Sequence, residues 1–321
     1  MRGTWLLALA FTSSAAAADA PTFADCEGCP DMVVLPGGTF RMGTDTGPVN
    51  EHPAHDVTLA RFAVARTEVT QAQYALFARE TGRVPMAPCL TDSDHDGNFG
   101  YEADKNWADP GLGKGDNYPA TCVNYADAKD YADWLARKTG KPYHLLSEAQ
   151  YEYALRGGTT TEYFWGDDKD QMCGFANGPD THVMSLFPRW HGGAECQDGH
   201  DFLAPVASAR PNGYGLYDMA GNAWEWTADC YVTGYGVQPN DGSAYDNGAQ
   251  CAWRTTRGGS SGYAITDFRS AAGSRLRCAC SGSPRARGSN GSPGSFRSCG
   301  SARRWRWSRG SGCSPGIRRR R

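Results

Sequence analysis

The chain lacks the features that most membrane proteins and nucleic-acid-binding proteins share. Its apolar run at residues 5–11 is far shorter than the roughly 20 residues that span a bilayer. Asp and Glu are missing from Gly273 onward, although this segment holds 13 of the 32 Lys and Arg residues. The first 272 residues therefore carry 19 basic against 35 acidic side chains, and this negative balance argues against nucleic acid as a partner.

The first 20 residues have the pattern of a signal peptide. Arg2 supplies a positive start, residues 5–11 are apolar, and residues 14–20 are mostly alanine, which a signal peptidase accepts. We predict cleavage after Ala18 or Ala20 and export to the periplasm or the medium. No cysteine stands at the cleavage point to carry a lipid anchor, and no transmembrane segment is expected.

An even set of cysteines precedes residue 273, which in an exported chain predicts disulfides. Pairing between neighbours along the chain is the simplest arrangement, with Cys230–Cys251 the pair that we single out. Cys26 and Cys29 could instead form a redox pair, but Pro30 follows where that motif needs a helix. We therefore predict a structural role. The eight cysteines are Cys26, Cys29, Cys89, Cys122, Cys173, Cys196, Cys230 and Cys251.

Local patterns predict short strands followed by three helices. Residues 32–43 indicate two strands around a Pro-Gly-Gly turn, and residues 55–70 carry strand-like apolar positions. Two of the helices begin at a capping box and all three end at glycine. No helix is expected after Gly158. The helices are predicted to start at Thr70 and end at Gly82, to span Tyr125 to Lys138 before Gly140, and to start at Ser147 and end at Gly157.

Residues 213–231 interleave carboxylates with glycine and aromatic residues. Asp218 and Glu225 lie within eight residues of each other, with Gly221 between them. Carboxylate and backbone oxygens are the ligands that calcium prefers. The alternative is that the acids are turn residues and the tryptophans belong to the core.

Six runs resemble the formylglycine-generating enzyme (sulfatase-modifying factor) family in sequence and order. They are MVVLPGGTFRMG, EVTQAQYALF, LLSEAQYEYALRGG, YFWG, APVASARPNGYGLYDMAGNAWEWTADC and the RGGSS…FRSAA pair. Together they cover about residues 30–272. The resemblance implies a single irregular α+β domain that is related to C-type lectins and has little regular secondary structure.

The resemblance also implies two structural calcium sites. In the first, carboxylates and backbone oxygens come from Asp218, Gly221, Ala223 and Glu225. In the second, they come from Asn177, Gly178, Asp198 and His200, where His200 has to supply only a backbone oxygen.

Two other patterns could indicate metal sites. Asp92, Asp94 and Asp96 fit the start of an EF-hand loop, but the twelfth position is Ala103 with Glu102 one place early. A cation loop and an acidic solvated loop therefore remain open. His52 and His55 lack a nearby third ligand, and we predict no metal there.

The interval between Ser260 and Phe268 contains no cysteine and no histidine. In copper-dependent members of the family, two cysteines after the Gly-Gly-Ser turn hold Cu(I), which prefers thiolates. Here Tyr263 and Asp267 are the only groups in the interval that could transfer a proton, while Ser260 and Trp224 keep the frame of the cleft. These four residues are the cleft candidates, and copper binding is not expected.

The tail, residues 273–321, consists mainly of Arg, Ser, Gly, Cys, Pro and Trp and lacks lysine. It has too little apolar surface to offset the entropy of ordering. We predict that it is either disordered or the product of a shifted reading frame, because these residues mostly have GC-rich codons. Family members close their domain with a strand resembling Gly-Phe-Arg, and none follows here. An RNA-binding arm is the weaker alternative.

Three hypotheses for the function follow from the sequence. The first is a copper-free relative, expected as a monomer, whose cleft binds or modifies an exported polypeptide or a small ligand. The second is an oxidoreductase of the formylglycine-generating or iron-dependent type, although the seven histidines show no iron-site spacing. The third is a calcium-stabilised structural or assembly protein.

Overall fold

Short antiparallel strands form four small sheets in the computed structural model, which describes residues 21–85, 88–248, 251–262 and 264–277. Two sheets have three strands, in the orders β1-β2-β5 and β10-β9-β8, and the pairs β3-β4 and β6-β7 form the others. The strands are β1 (Thr22–Phe23), β2 (Met32–Leu35), β3 (Gly38–Met42), β4 (His55–Leu59), β5 (Phe62–Ala65), β6 (Cys89–Thr91), β7 (Gly100–Glu102), β8 (Glu225–Cys230), β9 (Trp253–Arg257) and β10 (Gly273–Arg277).

Three of the four helices confirm the sequence predictions. They are α1 (Gln71–Thr81), α2 (Tyr125–Thr139) and α3 (Glu148–Arg156), each with a complete capping box and a left-handed glycine after its last residue. The prediction of no helix after Gly158 was wrong, because α4 (Thr181–Leu186) lies there. Its six residues make less than two turns, too short for an apolar period, and Asp180 caps it. Among the described helices, none is long and apolar enough to cross a membrane.

The two strands predicted in residues 32–43 are present, but they do not pair with each other. β2 pairs with β1 and β5, whereas β3 pairs with β4. Gly37 between them has a φ of 74°, and a Cβ there would lie 2.5 Å from the carbonyl oxygen of Leu59. The turn therefore packs against backbone, and the two strands join different sheets.

Two apolar clusters make up most of the core. The larger surrounds α3, with Tyr151, Leu155 and Phe268 among its buried members. The smaller lies between α1 and α2, where the rings of Phe77 and Tyr131 pack edge to face 5.6 Å apart. With so little regular structure around these clusters, the irregular α+β architecture implied by the resemblance is confirmed.

Four disulfides pin the loops, and each joins neighbouring cysteines along the chain. The pairs are Cys26–Cys29, Cys89–Cys122, Cys173–Cys196 and Cys230–Cys251. The predicted neighbour pairing is thus present in all four.

Arg257 ties the second three-stranded sheet to the core. Its side chain is fully buried and donates to a carboxylate oxygen of Glu152 at 2.7 Å. It also donates to the carbonyl oxygens of Ser270 and Ala271, at 2.8 and 3.0 Å. These bonds hold the end of β9 against the segment that leads into β10. β10 lies beyond residue 272, the residue at which the change in composition predicted the end of the domain.

A cavity of about 810 Å³ runs along β5. In its sheet β5 is an edge strand, since β2 is the one described strand that pairs with it. Residues 60–65, together with Tyr131, Leu135 and Trp226, line the cavity. The free edge of β5 therefore faces a largely apolar space.

Candidate cation sites and cleft

The loop that carries the first predicted set of calcium ligands is sharply turned. Asp218, Gly221 and Asn222 all have positive φ, at 55°, 83° and 57°. A Cβ on Gly221 would lie 2.1 Å from the carbonyl oxygen of Asn177, so only glycine fits there. The loop is consequently pressed against the segment that carries the second set.

The structure brings together the two carboxylates of the first set and adds a third. Asp218 accepts from the backbone N–H of Ala207 at 2.7 Å, and Glu225 accepts from the Tyr151 hydroxyl at 2.8 Å. The third acid, Glu68, lies in the segment before α1 and close enough to both for their charges to raise its pKa. Sequence reasoning missed Glu68, although it begins the EVTQAQYALF run that was quoted for the resemblance.

Burial makes this cluster of three acids electrostatically costly. Loss of hydration raises the pKa of Asp218 to about 6. Loss of hydration and the charge of Asp218 raise the pKa of Glu225 to about 7. Burial, followed by the charges of Asp218 and Glu225, raises the pKa of Glu68 well above its ordinary value. A calcium ion would stabilise the ionised forms of these buried carboxylates, so the donor set fits the metal.

The second predicted set is also assembled around one carboxylate. Asp198 accepts from the backbone N–H groups of Gly178 and His200, each at 2.8 Å. The side-chain oxygen of Asn177 is buried and has no hydrogen-bond partner among the described residues. Such an oxygen ordinarily costs about 1–3 kcal/mol. A hard cation coordinated by Asn177 and Asp198 would satisfy it, so this set fits calcium too.

The acidic loop before β7 is different in kind. Oxygens of Asp92, Asp94 and Asp96 lie within 4.8 Å of one another. Asp92 already accepts the backbone N–H groups of Asp96 and Gly97, at 3.1 and 2.8 Å. Glu102 accepts from Ser93 instead of joining the three aspartates. These bonds close the loop without a cation. His52 and His55 belong to none of the metal-ligand groups found in the described residues.

The Gly-Gly-Ser turn borders the first cation loop directly. The carbonyl oxygen of Gly258 accepts from the N–H of Gly221 at 2.8 Å, and the N–H of Ser261 donates to the carbonyl oxygen of Asn222 at 3.1 Å. Ser260 is half-buried within this turn, and Trp224 is half-buried in the facing loop. The two residues that were predicted to frame the cleft therefore stand on segments that are bonded to each other.

Of the other two cleft candidates, the structure describes Asp267. Asp267 lies on the short 3-10 turn Ile265–Phe268, and burial raises its pKa. Its neighbour Arg269 forms a two-pronged ion pair with Glu51, at 2.7 and 2.8 Å. Tyr263 lies outside the described residues. Every cysteine of the described part is in a disulfide, so no thiolate pair is present there for copper.

Comparison with known proteins agrees with the fold and with these motifs. Residues 17–294 match the family described as sulfatase-modifying factor enzyme 1-like domain. The chain therefore belongs to the sulfatase-modifying factor family. The matched range continues past residue 272, the predicted end of the domain.

Named relatives include both an enzyme and a protein called inactive. The chain is 32% identical to the formylglycine-generating enzyme of Streptomyces coelicolor, over 79% of this chain and 86% of that protein. It is 33% identical to the inactive C-alpha-formylglycine-generating enzyme 2 of Mus musculus, over 63% of this chain and 70% of the relative. The solved structure of PvdO from Pseudomonas aeruginosa is 35% identical with a TM-score of 0.67, covering 82% of this chain and 95% of PvdO. Family membership alone therefore does not fix the activity.

Proposed function

We propose that the protein is an exported member of the family whose cleft, beside Ser260 and Trp224, binds or modifies a polypeptide or a small ligand. It does so without copper-dependent oxidation of cysteine. One observation carries this proposal. The interval from Ser260 to Arg269 contains no cysteine, and all eight described cysteines are committed to disulfides.

Copper chemistry depends on ligands that this cleft does not supply. Cu(I) is a soft ion that prefers thiolate and thioether ligands. The interval that holds the thiols of the copper-dependent relatives offers here a phenol at Tyr263 and a carboxylate at Asp267, which are hard donors. The residues at hand do not fit copper. The described metal-ligand groups contain no histidine, so nothing in them favours an iron site either.

Calcium has a structural role in this proposal. Asp218 and Glu225, with the backbone oxygens of Gly221 and Ala223, would hold one ion, and Asn177 and Asp198 would take part in holding another. The first loop contacts the Gly-Gly-Ser turn through two backbone hydrogen bonds, so a bound ion would fix the cleft wall. In this proposal the ions stabilise the domain and position the cleft wall, while the cleft itself binds the ligand.

Export agrees with the disulfides and with the first 20 residues. Disulfides form and persist in the periplasm and outside the cell. The charged, apolar and alanine-rich parts of residues 1–20 follow in the order of a signal peptide. We accordingly place the mature protein in the periplasm or the medium, where it meets exported polypeptides and small molecules.

A peptide oxidation assay tests the proposal. The purified protein is incubated with Cu(I), oxygen and a sulfatase-type peptide that contains a single cysteine, and the products are weighed by mass spectrometry. We expect the thiol to persist, while the Streptomyces coelicolor relative in a parallel reaction serves as the positive control. Conversion of many peptide thiols per protein molecule to the aldehyde would contradict the proposal.

A further inference from the structure

Asn222 connects the two proposed cation sites through its side-chain amide. It is 1% exposed and stands between the first-site carboxylates and Asn177. Its amide nitrogen donates to Glu68 at 2.7 Å, and its amide oxygen accepts from the amide nitrogen of Asn177 at 3.0 Å. Its own N–H donates to the carbonyl oxygen of Asn177 at 2.8 Å. One buried side chain therefore contacts both sites.

The donors and acceptors of these groups fix the direction of the hydrogen bonds that run from Glu68 through Asn222 to Asn177. The backbone N–H of Ala204 can only donate and its carbonyl oxygen can only accept, so Asn222 must turn its oxygen to the first and its NH₂ group to the second, on the side of Glu68. The side-chain oxygen of Asn222 then faces Asn177, which donates to it from its own NH₂ group. That leaves the oxygen of Asn177 directed away, buried and without a hydrogen-bond partner in the described residues. A flipped Asn222 would set two NH₂ groups against each other.

We infer that Asn222 is a positioning residue that couples the two cation sites, so that an ion in either site strengthens binding in the other. The inference rests on the proposed calcium sites. An ion at the first site holds the loop that carries Asn222 in place, and the Asn222–Asn177 hydrogen bonds then present the Asn177 oxygen to the second site. By linkage, an ion held by that oxygen stabilises the same orientation of Asn222 and favours the first site equally.

The packing around Asn222 fixes its side chain between the two sites. Its amide also bonds to the backbone N–H and carbonyl of Ala204, at 2.9 and 3.3 Å. Gly221 touches the Asn177 carbonyl, and a Cβ on either Gly178 or Gly221 would meet the buried ring of Phe268, at 2.5 and 3.1 Å. The backbone of both sites is therefore held in place, and the Asn222 amide stays within hydrogen-bond reach of both.

Calcium titrations of the full chain test the coupling. Chelator-stripped protein is titrated with calcium chloride in a calorimeter, as wild type, as Asp198→Asn to disable the second site, and as Glu225→Gln to disable the first. Typical couplings between sites change an affinity by about 5- to 150-fold. We expect each variant to weaken the remaining site by at least about 5-fold, and by the same factor in both directions.

Substitution of Asn222 completes the cycle. Glycine tolerates its φ of 57° and removes the amide, so Asn222→Gly should bind two ions independently. In that background, adding Asp198→Asn should leave the affinity of the first site unchanged. Coupling that persists without the amide would overturn the role of Asn222.

Two results of the titrations that leave Asn222 intact would also overturn the inference. Equal first-site affinities in wild type and Asp198→Asn would show two independent sites, and these proteins settle the matter even if Asn222→Gly does not fold. A wild type that binds fewer than two calcium ions would remove the calcium sites themselves, and with them the calcium part of the proposed function.

Discussion

Chelation of calcium should destabilise the wild-type protein, and Glu225→Gln should remove the part of that effect that comes from the first site. A ligand that binds only the native state, at 100 times its dissociation constant, adds about 2.7 kcal/mol to the free energy of unfolding. In a domain of this size each kcal/mol shifts the melting temperature by about 2–4 °C. Loss of the first-site ion should therefore account for about 5–11 °C of the fall in the wild-type melting temperature in excess chelator, measured by circular dichroism or differential scanning fluorimetry.

The same cluster sets the pH dependence of the chelated protein. Its folded-state pKa values, about 6 for Asp218 and about 7 for Glu225, lie above those of the unfolded chain. Between the unfolded and folded pKa values the native state binds more protons, so stability falls as the pH rises. We expect the chelated protein to lose stability from about pH 4 to pH 7, and added calcium to restore most of it at the upper end.

The variant separates this site from a general effect of acidic side chains. Glu225→Gln keeps the shape of the side chain and an acceptor for the Tyr151 hydroxyl, but it removes one ligand charge. Asp94→Asn, in the exposed acidic loop, is the matched control and should respond to the chelator like the wild type. An equal chelator response in Glu225→Gln and in the wild type would refute the assignment of this site.

Three further predictions concern a buried ion pair, a disulfide and the sequence that follows residue 272. Arg257→Leu removes the one cation that pairs with the buried carboxylate of Glu148 among the described residues and one of two that pair with Glu152, which keeps Arg156, and should lower the free energy of unfolding by about 3–5 kcal/mol in denaturant titrations; a loss below 1 kcal/mol would contradict this. Replacing Cys230 and Cys251 together by serine opens a 21-residue separation and should cost roughly 3 kcal/mol, whereas a variant as stable as the wild type would refute this. Translation of the other frames past codon 272 should reveal a Gly-Phe-Arg strand, suited to the free edge of β5. Its absence from both frames would contradict the frame shift.

The elements that could be predicted from the sequence are those determined by neighbouring residues. The capping boxes at Thr70 and Ser147 and the glycines that end the helices act within one turn, so the bounds of α1 and α3 followed from local patterns. The pairing of β2 and β3 depends on contacts with distant strands, and nothing local encodes it. The six residues of α4 are too few to show a period.

The candidate site divides in the same way. Asp218 and Glu225 lie in one short loop, so their pattern was visible in the sequence. Glu68 precedes them by about 150 residues and Asn177 by about 40, and only folding brings all four together. The role proposed for Asn222 depends on the directions of its hydrogen bonds, which no sequence pattern specifies.

Metal analysis of the purified, correctly processed protein tests the central claim most directly. Elemental analysis by mass spectrometry after dialysis against metal-free buffer gives the metals bound per chain. We expect about two calcium ions and no stoichiometric copper or iron, because the carboxylate and amide oxygens around Asp218 and Asp198 are hard ligands and residues 260–269 contain no cysteine. One copper ion per chain, retained through dialysis, would contradict it.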